Sequence, residues 1–358
     1  MTTFSIIVAT RNRPAALALS LPLYLSQSRL PERIVVVDSS DDPSANQSLV
    51  ERLATTAAMS IVHMVSPAGG AKQRNIGLEQ VTSDVTFFPD DDSLVYPGAL
   101  AAMMRIYDLD EAGRIGGVCG FEVGRPPKGV LEDAVPYELK RSDRLKVYLG
   151  RTQVLIEDRL APNPMKLAAH RFYDRTPPAE PWLAVEDALR VEWMTGFRMS
   201  FRTAAIRQVG FNERLGRYAL FEDVDASLGV LAQGRDLVAT ARASVYHHRS
   251  PEHRGSGYEM GMMHVLNPAY VTCRFVIMDP KVRATIHRYA RYKAFRYQVG
   301  TLATPYDKER FAGARAAVSF LDELCAADRE AIDETYLKVR EACLRLAPHE
   351  QEGRDREL

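Results

Sequence analysis

The stretch FSIIVAT at residues 4–10 decides the fold, because it is a nearly continuous apolar run rich in β-branched side chains. A run of this kind is typical of a strand that is buried on both faces of a sheet. Three similar runs follow it, RIVVVD at 33–38, SIVHMV at 60–65 and VTFF at 85–88. We therefore predict four buried strands near the start of the chain.

Helices are predicted in the gaps between these strands. Pro14 suits the first position of a helix that runs to about residue 27, and further helices are expected near 45–58 and 69–81. Alternating strands and helices predict the α/β class, with a Rossmann-like, mostly parallel central sheet flanked by helices. Right-handed crossovers bring the carboxyl ends of these strands to one edge, where open α/β sheets bind their ligands.

The remaining chain is less regular. Residues 125–181 are rich in Pro, Arg and Asp, which favours an insertion or loop region. From about residue 257 the strand patterns end, and three helical segments are expected. We therefore predict one α/β domain over residues 1–255 and a C-terminal helical region over residues 256–358.

The composition is that of an ordinary globular protein, with 46% hydrophobic and 26% charged residues. The 46 basic and 46 acidic residues balance, so there is no overall basic field to gather nucleic acid. No apolar run approaches the roughly 18 to 20 residues of a membrane span, and the N-terminus lacks the basic start of a signal peptide. Four widely spaced cysteines without a CxxC pair favour buried thiols, so we expect a cytoplasmic protein.

Three adjacent acidic residues, Asp90, Asp91 and Asp92, follow the fourth strand directly. Neighbouring carboxylates repel one another by roughly 1 kcal/mol per pair even in water. Caps for a helix beginning near Pro97 would account for them. A hard divalent cation, Mg²⁺ or Mn²⁺, held by carboxylate oxygens would account for them as well. Their place at the ligand edge of the sheet favours the cation.

Two further groups of polar residues come late in the α/β domain. Glu222 and Asp223, with Asp225 just after them, open a helix predicted over 221–233, where acids favoured by the helix dipole are one interpretation and a general base is the other. His247 and His248 end a predicted strand, and either a structural role or a metal-ligand role would fit a histidine there. Strand alternation points the two rings to opposite faces, so only one is expected to face a cation.

Four basic residues near the predicted edge are candidates for binding an anionic ligand, although solvated surface charge is their ordinary role. Arginine pairs with phosphate in a bidentate way, and a diphosphate needs counter-charges beyond a metal. The four residues are Arg11, Arg13, Lys72 and Arg74.

These segments, in their order and spacing, resemble the inverting family-2 glycosyltransferases of GT-A fold over roughly residues 4–275. The matching segments are FSIIVATRNRP, VVVDSS, GGAKQRNIGL, FFPDDDS, WMTGFRMSFRTAAIRQVGFNERL, FEDVDASLGVLAQG and VYHHRS. The resemblance implies an enzyme of the hexosyltransferase type. It would transfer a sugar from a nucleoside diphosphate sugar, expected to be UDP-linked, to an acceptor hydroxyl in a metal-assisted single displacement with inversion.

The resemblance also implies roles for individual residues at the donor side. Thr10 and Asp38 would line the pocket for the nucleotide base and ribose, and Arg74 would contact ribose or diphosphate. The acids Asp90 and Asp92, with Asp91 between them, would touch ribose and metal. We assign Arg11, Arg13 and Lys72 to donor binding as well.

At the reaction centre, Asp92 would be the main ligand of Mn²⁺ or Mg²⁺, with Asp90 and His247 beside it. Asp223 would be the base that takes the acceptor proton, although Asp225 lies close in sequence. Glu222 is expected at the catalytic site and with the acceptor. Trp193 and Gly196 are expected to bind the acceptor, together with the 125–181 insertion.

The partners follow from the resemblance only in outline. We expect a nucleotide-sugar donor and a sugar, lipid-linked or small-molecule acceptor, in polysaccharide, glycolipid or glycosylated-metabolite biosynthesis. The alternative is a catalytically inactive GT-A module that only binds nucleotide or sugar. An NAD-dependent oxidoreductase is disfavoured, because the first turn reads TRNRP and lacks GxGxxG.

The segment 281–297, KVRATIHRYARYKAFRY, has six Lys or Arg residues, interleaved aromatic residues and no acid. A solvated helix face is the ordinary interpretation. Docking on anionic lipid headgroups, hence a peripheral position at the inner face of the membrane, or binding of a charged acceptor are the others.

Overall fold

The computed structural model describes four stretches of the chain, namely residues 1–131, 159–249, 256–301 and 304–347. The chain is organised in two compact units. The first comprises Met1–Lys146 and Ala169–His253, and the second comprises Val147–Ala168 and Arg254–Leu358. Much of the 125–181 insertion, residues 132–158, lies outside the described residues.

The described part of the first unit contains one nine-stranded sheet. Its strands are β1 Phe4–Thr10, β2 Arg33–Asp38, β3 Ser60–Val65, β4 Val85–Phe88, β5 Ser93–Val95, β6 Ile115–Glu122, β7 Ala188–Arg190, β8 Met199–Arg202 and β9 Asp236–His247. The spatial order is β3-β2-β1-β4-β8-β6-β9-β5, and β7 pairs with β9. The four strands predicted from the first apolar runs have the predicted bounds.

One half of the sheet is parallel, as the strand–helix alternation predicts. Strands β3, β2, β1 and β4 run parallel, with Thr10 opposite Asp38 in the register of β1 and β2. The other half is mixed, because β8 lies antiparallel to both β4 and β6, and β5 and β7 lie antiparallel to β9. The predicted α/β class, with a central sheet flanked by helices, is confirmed.

Helices of the first unit pack against this sheet. They are Pro14–Leu25, Ser44–Ala54, Gly70–Leu78, Ala99–Leu109, Trp182–Val185, Thr203–Val209 and Glu222–Ala232. Pro14 is at the first helical position, where its fixed φ and missing N–H cost nothing. Gly77 lets the helix Gly70–Leu78 lie directly on β1, since a Cβ there would come within 2.4 Å of Ile7 Cγ2.

The second unit is helical, as expected, but it has more helices than the three predicted. After residue 256 the described helices are Gly257–Phe275, Pro280–Gly300, Pro305–Ser319, Leu321–Ala326 and Ile332–Arg345. The count was wrong because the breaks between these helices are short. Three of the five helices begin after a capping side chain, as at Asp279, whose side chain accepts from Val282 N–H at 2.8 Å.

The core of the second unit contains paired aromatic rings. Tyr270 and Tyr336 stack with ring centroids 3.9 Å apart, and the Tyr336 hydroxyl donates to Asn267 Oδ1 at 2.7 Å.

All four cysteines are buried free thiols, as expected. Within the described stretches, no helix combines the length and apolar character that crossing a bilayer requires.

Candidate active site

Three predicted site residues lie at the edge of the sheet where β1, β2 and β4 end. They are Thr10 on β1, Asp38 on β2 and Asp90 just after β4. Asp38 is fully buried, and its Oδ1 accepts from Ser40 N–H at 2.8 Å. Its Oδ2 accepts from the Asn46 amide at 2.9 Å and lies 3.1 Å from His63 Nε2. The Asp38 carboxylate is therefore held in one orientation at the end of β2.

The acidic loop after β4 is tied to the loop after β1. Thr10 Oγ1 donates to Asp91 Oδ2 at 2.8 Å, and the two terminal nitrogens of Arg13 reach Asp91 Oδ1 at 2.7 Å and Asp92 Oδ2 at 2.8 Å. Burial raises the pKa of Asp91 to about 7, and the Arg13 charge opposes that rise. Both oxygens of Asp91 are thus engaged by protein groups.

Three side chains in this region form a group that fits a divalent cation. Asp90, Asp92 and His247 each offer one ligand atom, and these atoms lie within 4.8 Å of one another. His247 Nε2 is 3.3 Å from Asp92 Oδ1 and 3.9 Å from Asp90 Oδ2. Two carboxylates and an imidazole are a donor set that suits Mn²⁺ or Mg²⁺.

The pairing of β5 with β9 explains why His247 reaches the acids. Its register sets His247 opposite Ser93, the residue directly after Asp92. Burial disfavours the imidazolium, but the hydrogen bond and negative charge of Asp92 outweigh it and raise the pKa of His247. His248 contributes its backbone N–H to the Asp92 carbonyl at 3.1 Å, and its ring is outside the cation-binding group.

Asp223 lies in the first turn of the helix Glu222–Ala232. Its Oδ2 accepts from Gly196 N–H at 2.9 Å and its Oδ1 from Val224 N–H at 2.8 Å. Burial raises the pKa of Asp223, while these two N–H groups lower it. A carboxyl with a raised pKa is a better proton acceptor than an ordinary aspartate, which suits a general base. Asp225, which lies close to Asp223 in the sequence, is only 1% exposed.

The turn that leads into this helix is conformationally strained. Ala219 and Phe221 both have left-handed backbone angles, with φ of 48° and 73°, although neither is glycine. Such angles cost free energy in residues with a Cβ, and they cluster at functional sites. The turn places Glu222 and Asp223 at the helix start.

Arg74 connects the two acidic regions. Its buried guanidinium contacts Asp90 Oδ1 at 2.9 Å and forms a second ion pair with Glu222. The guanidinium carbon also lies 5.7 Å from the centre of the Phe211 ring. The acids near positions 90 and 223, which are far apart in sequence, therefore meet in one region of the first unit.

Three other predicted residues, Arg11, Lys72 and Trp193, lie on or beside the elements that carry this region. Arg11 pairs with the exposed Asp41 at 3.0 Å. Lys72 is half-buried on the helix Gly70–Leu78, and Trp193 is half-buried just before the turn that contains Gly196.

Several residues that hold the site together were not predicted. Gln73 donates to the carbonyls of Thr10 and Val37 at 2.9 and 2.7 Å, and Ser93 Oγ accepts from Asp90 N–H at 3.0 Å. The Phe197 ring stacks on His247. Only Ser93 carried a sequence signal, because it directly follows the acidic run.

Comparisons with known proteins bear on the family and the fold of this chain. Residues 5–152 match the family model of Glycosyl transferase family 2. S. aureus TarS 1-349 matches with a TM-score of 0.51 and 14% identity over 97% of this chain and 93% of that chain, and its complex with UDP-GlcNAc gives the same values. GalNAc-T7 with UDP, GalNAc and Mn²⁺ matches with a TM-score of 0.52 and 15% identity over 94% and 58%. The search of curated proteins gave no significant match.

Fold and comparisons together define the class of protein: the chain is a glycosyltransferase with the GT-A fold. The match to the glycosyl transferase family 2 model covers residues 5–152, in the N-terminal part of the chain. The fold and the enzyme class expected from the sequence are confirmed, and the expected likeness to family 2 is found over those residues.

Proposed function

We propose that this glycosyltransferase moves a sugar from a UDP-linked donor to an acceptor hydroxyl with inversion at the anomeric carbon. The observation that carries the proposal is that Arg74 pairs both with Asp90 of the candidate cation group and with Glu222, the residue directly before Asp223. A base and a candidate cation site in one region supply both functions that such a displacement needs.

The proton transfer is assigned to Asp223. As the acceptor oxygen attacks the anomeric carbon, its bond to that carbon forms while the bond from the carbon to the diphosphate oxygen breaks. The acceptor proton goes to the Asp223 carboxylate. The Gly196 and Val224 N–H groups hold the carboxylate in place for that transfer.

The leaving diphosphate is assigned to the cation site and to Arg74. Asp90, Asp92 and His247 would hold Mn²⁺ or Mg²⁺, which when bound stabilises negative charge on phosphate oxygens. Arg74 lies beside this group and offers a guanidinium suited to phosphate. We propose that Thr10 and Asp38, at the ends of neighbouring strands, contact the nucleoside. Arg11, Arg13 and Lys72 remain candidates for donor contacts.

The acceptor side is assigned to the region around Asp223. Gly196 adjoins the Asp223 carboxylate, and Glu222 and Trp193 are the other acceptor candidates. We propose a sugar, lipid-linked or small-molecule acceptor in polysaccharide, glycolipid or glycosylated-metabolite biosynthesis, and a cytoplasmic location. A module that binds nucleotide without transfer is the alternative, and the retention of a clamped Asp223 disfavours it.

The proposed activity is tested with a panel of nucleotide sugars incubated with the protein and Mn²⁺, with released nucleoside diphosphate as the readout. We expect release with a UDP-sugar that stops when EDTA removes the metal. Binding of UDP without release from any donor, in the presence of sugar and lipid-linked acceptors, would instead support the non-catalytic module.

We also propose that the helix Pro280–Gly300 contacts anionic lipid at a membrane surface. Its inner face is buried through Val282, Ile286 and Tyr297 among others. The opposite face is exposed at helical spacing. It comprises Lys281, Ala284, Arg288, Arg291, Phe295 and Val299, of which Phe295 is 58% and Val299 61% exposed. Cations beside exposed apolar side chains on one helix face suit an anionic bilayer surface.

Sedimentation with liposomes tests this contact. We expect pelleting with vesicles of phosphatidylglycerol and phosphatidylcholine that falls with added salt and is lost in Arg288→Gln/Arg291→Gln. The control Arg315→Gln/Lys338→Gln removes two other exposed charges of the same unit and should pellet like the wild type. Equal pelleting of both double variants, or none of the wild type, would rule the contact out.

A further inference from the structure

The turn Gly196–Arg198 touches the candidate cation site through an aromatic ring. The Phe197 ring stacks on the His247 imidazole, with ring centroids 4.5 Å apart and planes only 11° from parallel. Phe197 itself is 6% exposed, so its ring is fixed by the surrounding protein. The Nε2 atom of the same imidazole faces Asp92.

The same turn is bonded to the acidic loop and to the base. The Phe197 carbonyl accepts from Ser93 Oγ at 2.8 Å, and that Oγ accepts from Asp90 N–H at 3.0 Å. One residue earlier, Gly196 N–H donates to Asp223 Oδ2 at 2.9 Å. The Phe197 ring, the Phe197 carbonyl and the Gly196 N–H therefore contact three separate parts of the chain. These parts are His247, the segment around the acidic loop and the Asp223 carboxylate.

Arg198 stabilises the ring from the same turn. Its guanidinium carbon lies 5.2 Å from the centre of the Phe197 ring. The guanidinium also donates to the Gly120 carbonyl at 2.8 Å and to Thr195 Oγ1 at 2.7 Å. Phe197 is thus supported by a cation that is anchored to β6.

We infer that Phe197 is a positioning residue, which fixes the plane of the His247 imidazole so that Nε2 faces Asp90 and Asp92. A histidine ring that can rotate binds a metal less well, and groups that orient a ligand typically contribute 10- to 100-fold to metal affinity. The inference rests on the proposed cation site. It adds that the turn Gly196–Arg198 sets the place of both His247 and Asp223.

Calorimetric titration with Mn²⁺ tests the inference on the intact protein. We expect Phe197→Leu to raise the Kd for Mn²⁺ by about tenfold or more, and Phe197→Tyr, which keeps the ring, to stay near the wild type. The matched control is Phe201→Leu, which removes another buried ring on β8 and should leave the Kd unchanged.

A second measurement needs no variant that perturbs folding. Stacking on Phe197 predicts that the ring protons of His247 resonate upfield in the wild-type NMR spectrum, with His247→Gln used for assignment. Unshifted His247 protons, or equal Mn²⁺ affinity in Phe197→Leu and the wild type, would overturn the inference. A wild type that binds no Mn²⁺ would instead remove the proposed cation site on which the inference rests.

Discussion

The Arg74 guanidinium lies 2.9 Å from Asp90 Oδ1, and it is paired on its other side with Glu222. One buried cation therefore joins the loop after β4 to the start of the helix Glu222–Ala232. Without it, two acidic regions would approach one another in a partly desolvated place, where like charges repel more strongly than in water.

Removing the Arg74 guanidinium should destabilise the fold. Arg74→Met leaves the buried Glu222 carboxylate without its counter-charge, and breaking a buried ion pair on one side costs roughly 3 kcal/mol or more. Urea unfolding measures the change. The double variant Arg74→Met/Glu222→Gln should recover a large part of the loss, because it removes the unpaired charge as well. An Arg74→Met protein as stable as the wild type would show that the pair has no structural role.

The candidate cation site gives a second prediction, that substitutions of two neighbouring acids differ in their effect on the affinity for Mn²⁺. Asp92→Asn should raise the Kd for Mn²⁺ by more than about tenfold, or 1.4 kcal/mol, because Asp92 lies in the Asp90 and His247 group. Asp91→Asn should have the smaller effect, since both Asp91 oxygens are bonded to Thr10 and Arg13. Titration calorimetry of the two variants decides the order. The reverse order would move the metal from Asp92 to Asp91.

The hydrogen bond from Gly196 to Asp223 predicts a change in pH dependence. Gly196→Pro removes the N–H, and its ring carbon takes the place of the hydrogen, so the Asp223 carboxylate must move away from position 196. The residue before it accepts a proline, because Thr195 is extended with φ −90° and ψ 143°. That N–H lowers the pKa of Asp223, so its loss should raise this pKa further. The base is active when deprotonated, and the acidic limb of the pH–rate profile should therefore move to higher pH.

The matched control is Gly196→Ala, which keeps the N–H. A Cβ at position 196 would meet Asp223 Oδ2 at 3.8 Å, an ordinary contact. Its pH–rate profile should follow that of the wild type. Identical profiles for the proline and alanine variants would mean that the acidic limb does not report Asp223.

The sequence predicted the first half of the fold well because buried parallel strands are long apolar runs. In the mixed half it predicted the helix near 221–233 and the strand that ends at His247, but not the strands β5 and β6. Strand β5 has only three residues, and β6 contains three glycines in IGGVCGFE, which weaken a strand pattern. Neither has a periodic signal of its own, and both are specified by pairing with β8 and β9.

The site was predictable in its residue types more than in its contacts. Acids at strand ends and a late histidine pointed to the region where the structure brings Asp90, Asp92 and His247 together. Pairings such as Arg13 with Asp91 and Asp92, or Arg74 with Glu222, depend on distances between loops that no spacing in the sequence encodes. The same holds for Phe197, which looks in the sequence like any core aromatic residue.

Turnover and donor affinity of Asp223→Asn test the central claim most directly, since the claim is that distant carboxylates form one site in which Asp223 is the base. With the active nucleotide sugar, kcat should fall by at least about 100-fold, the size of a general-base contribution, while the Kd for the donor nucleotide with Mn²⁺ stays near the wild type. A variant that keeps wild-type kcat would contradict the account.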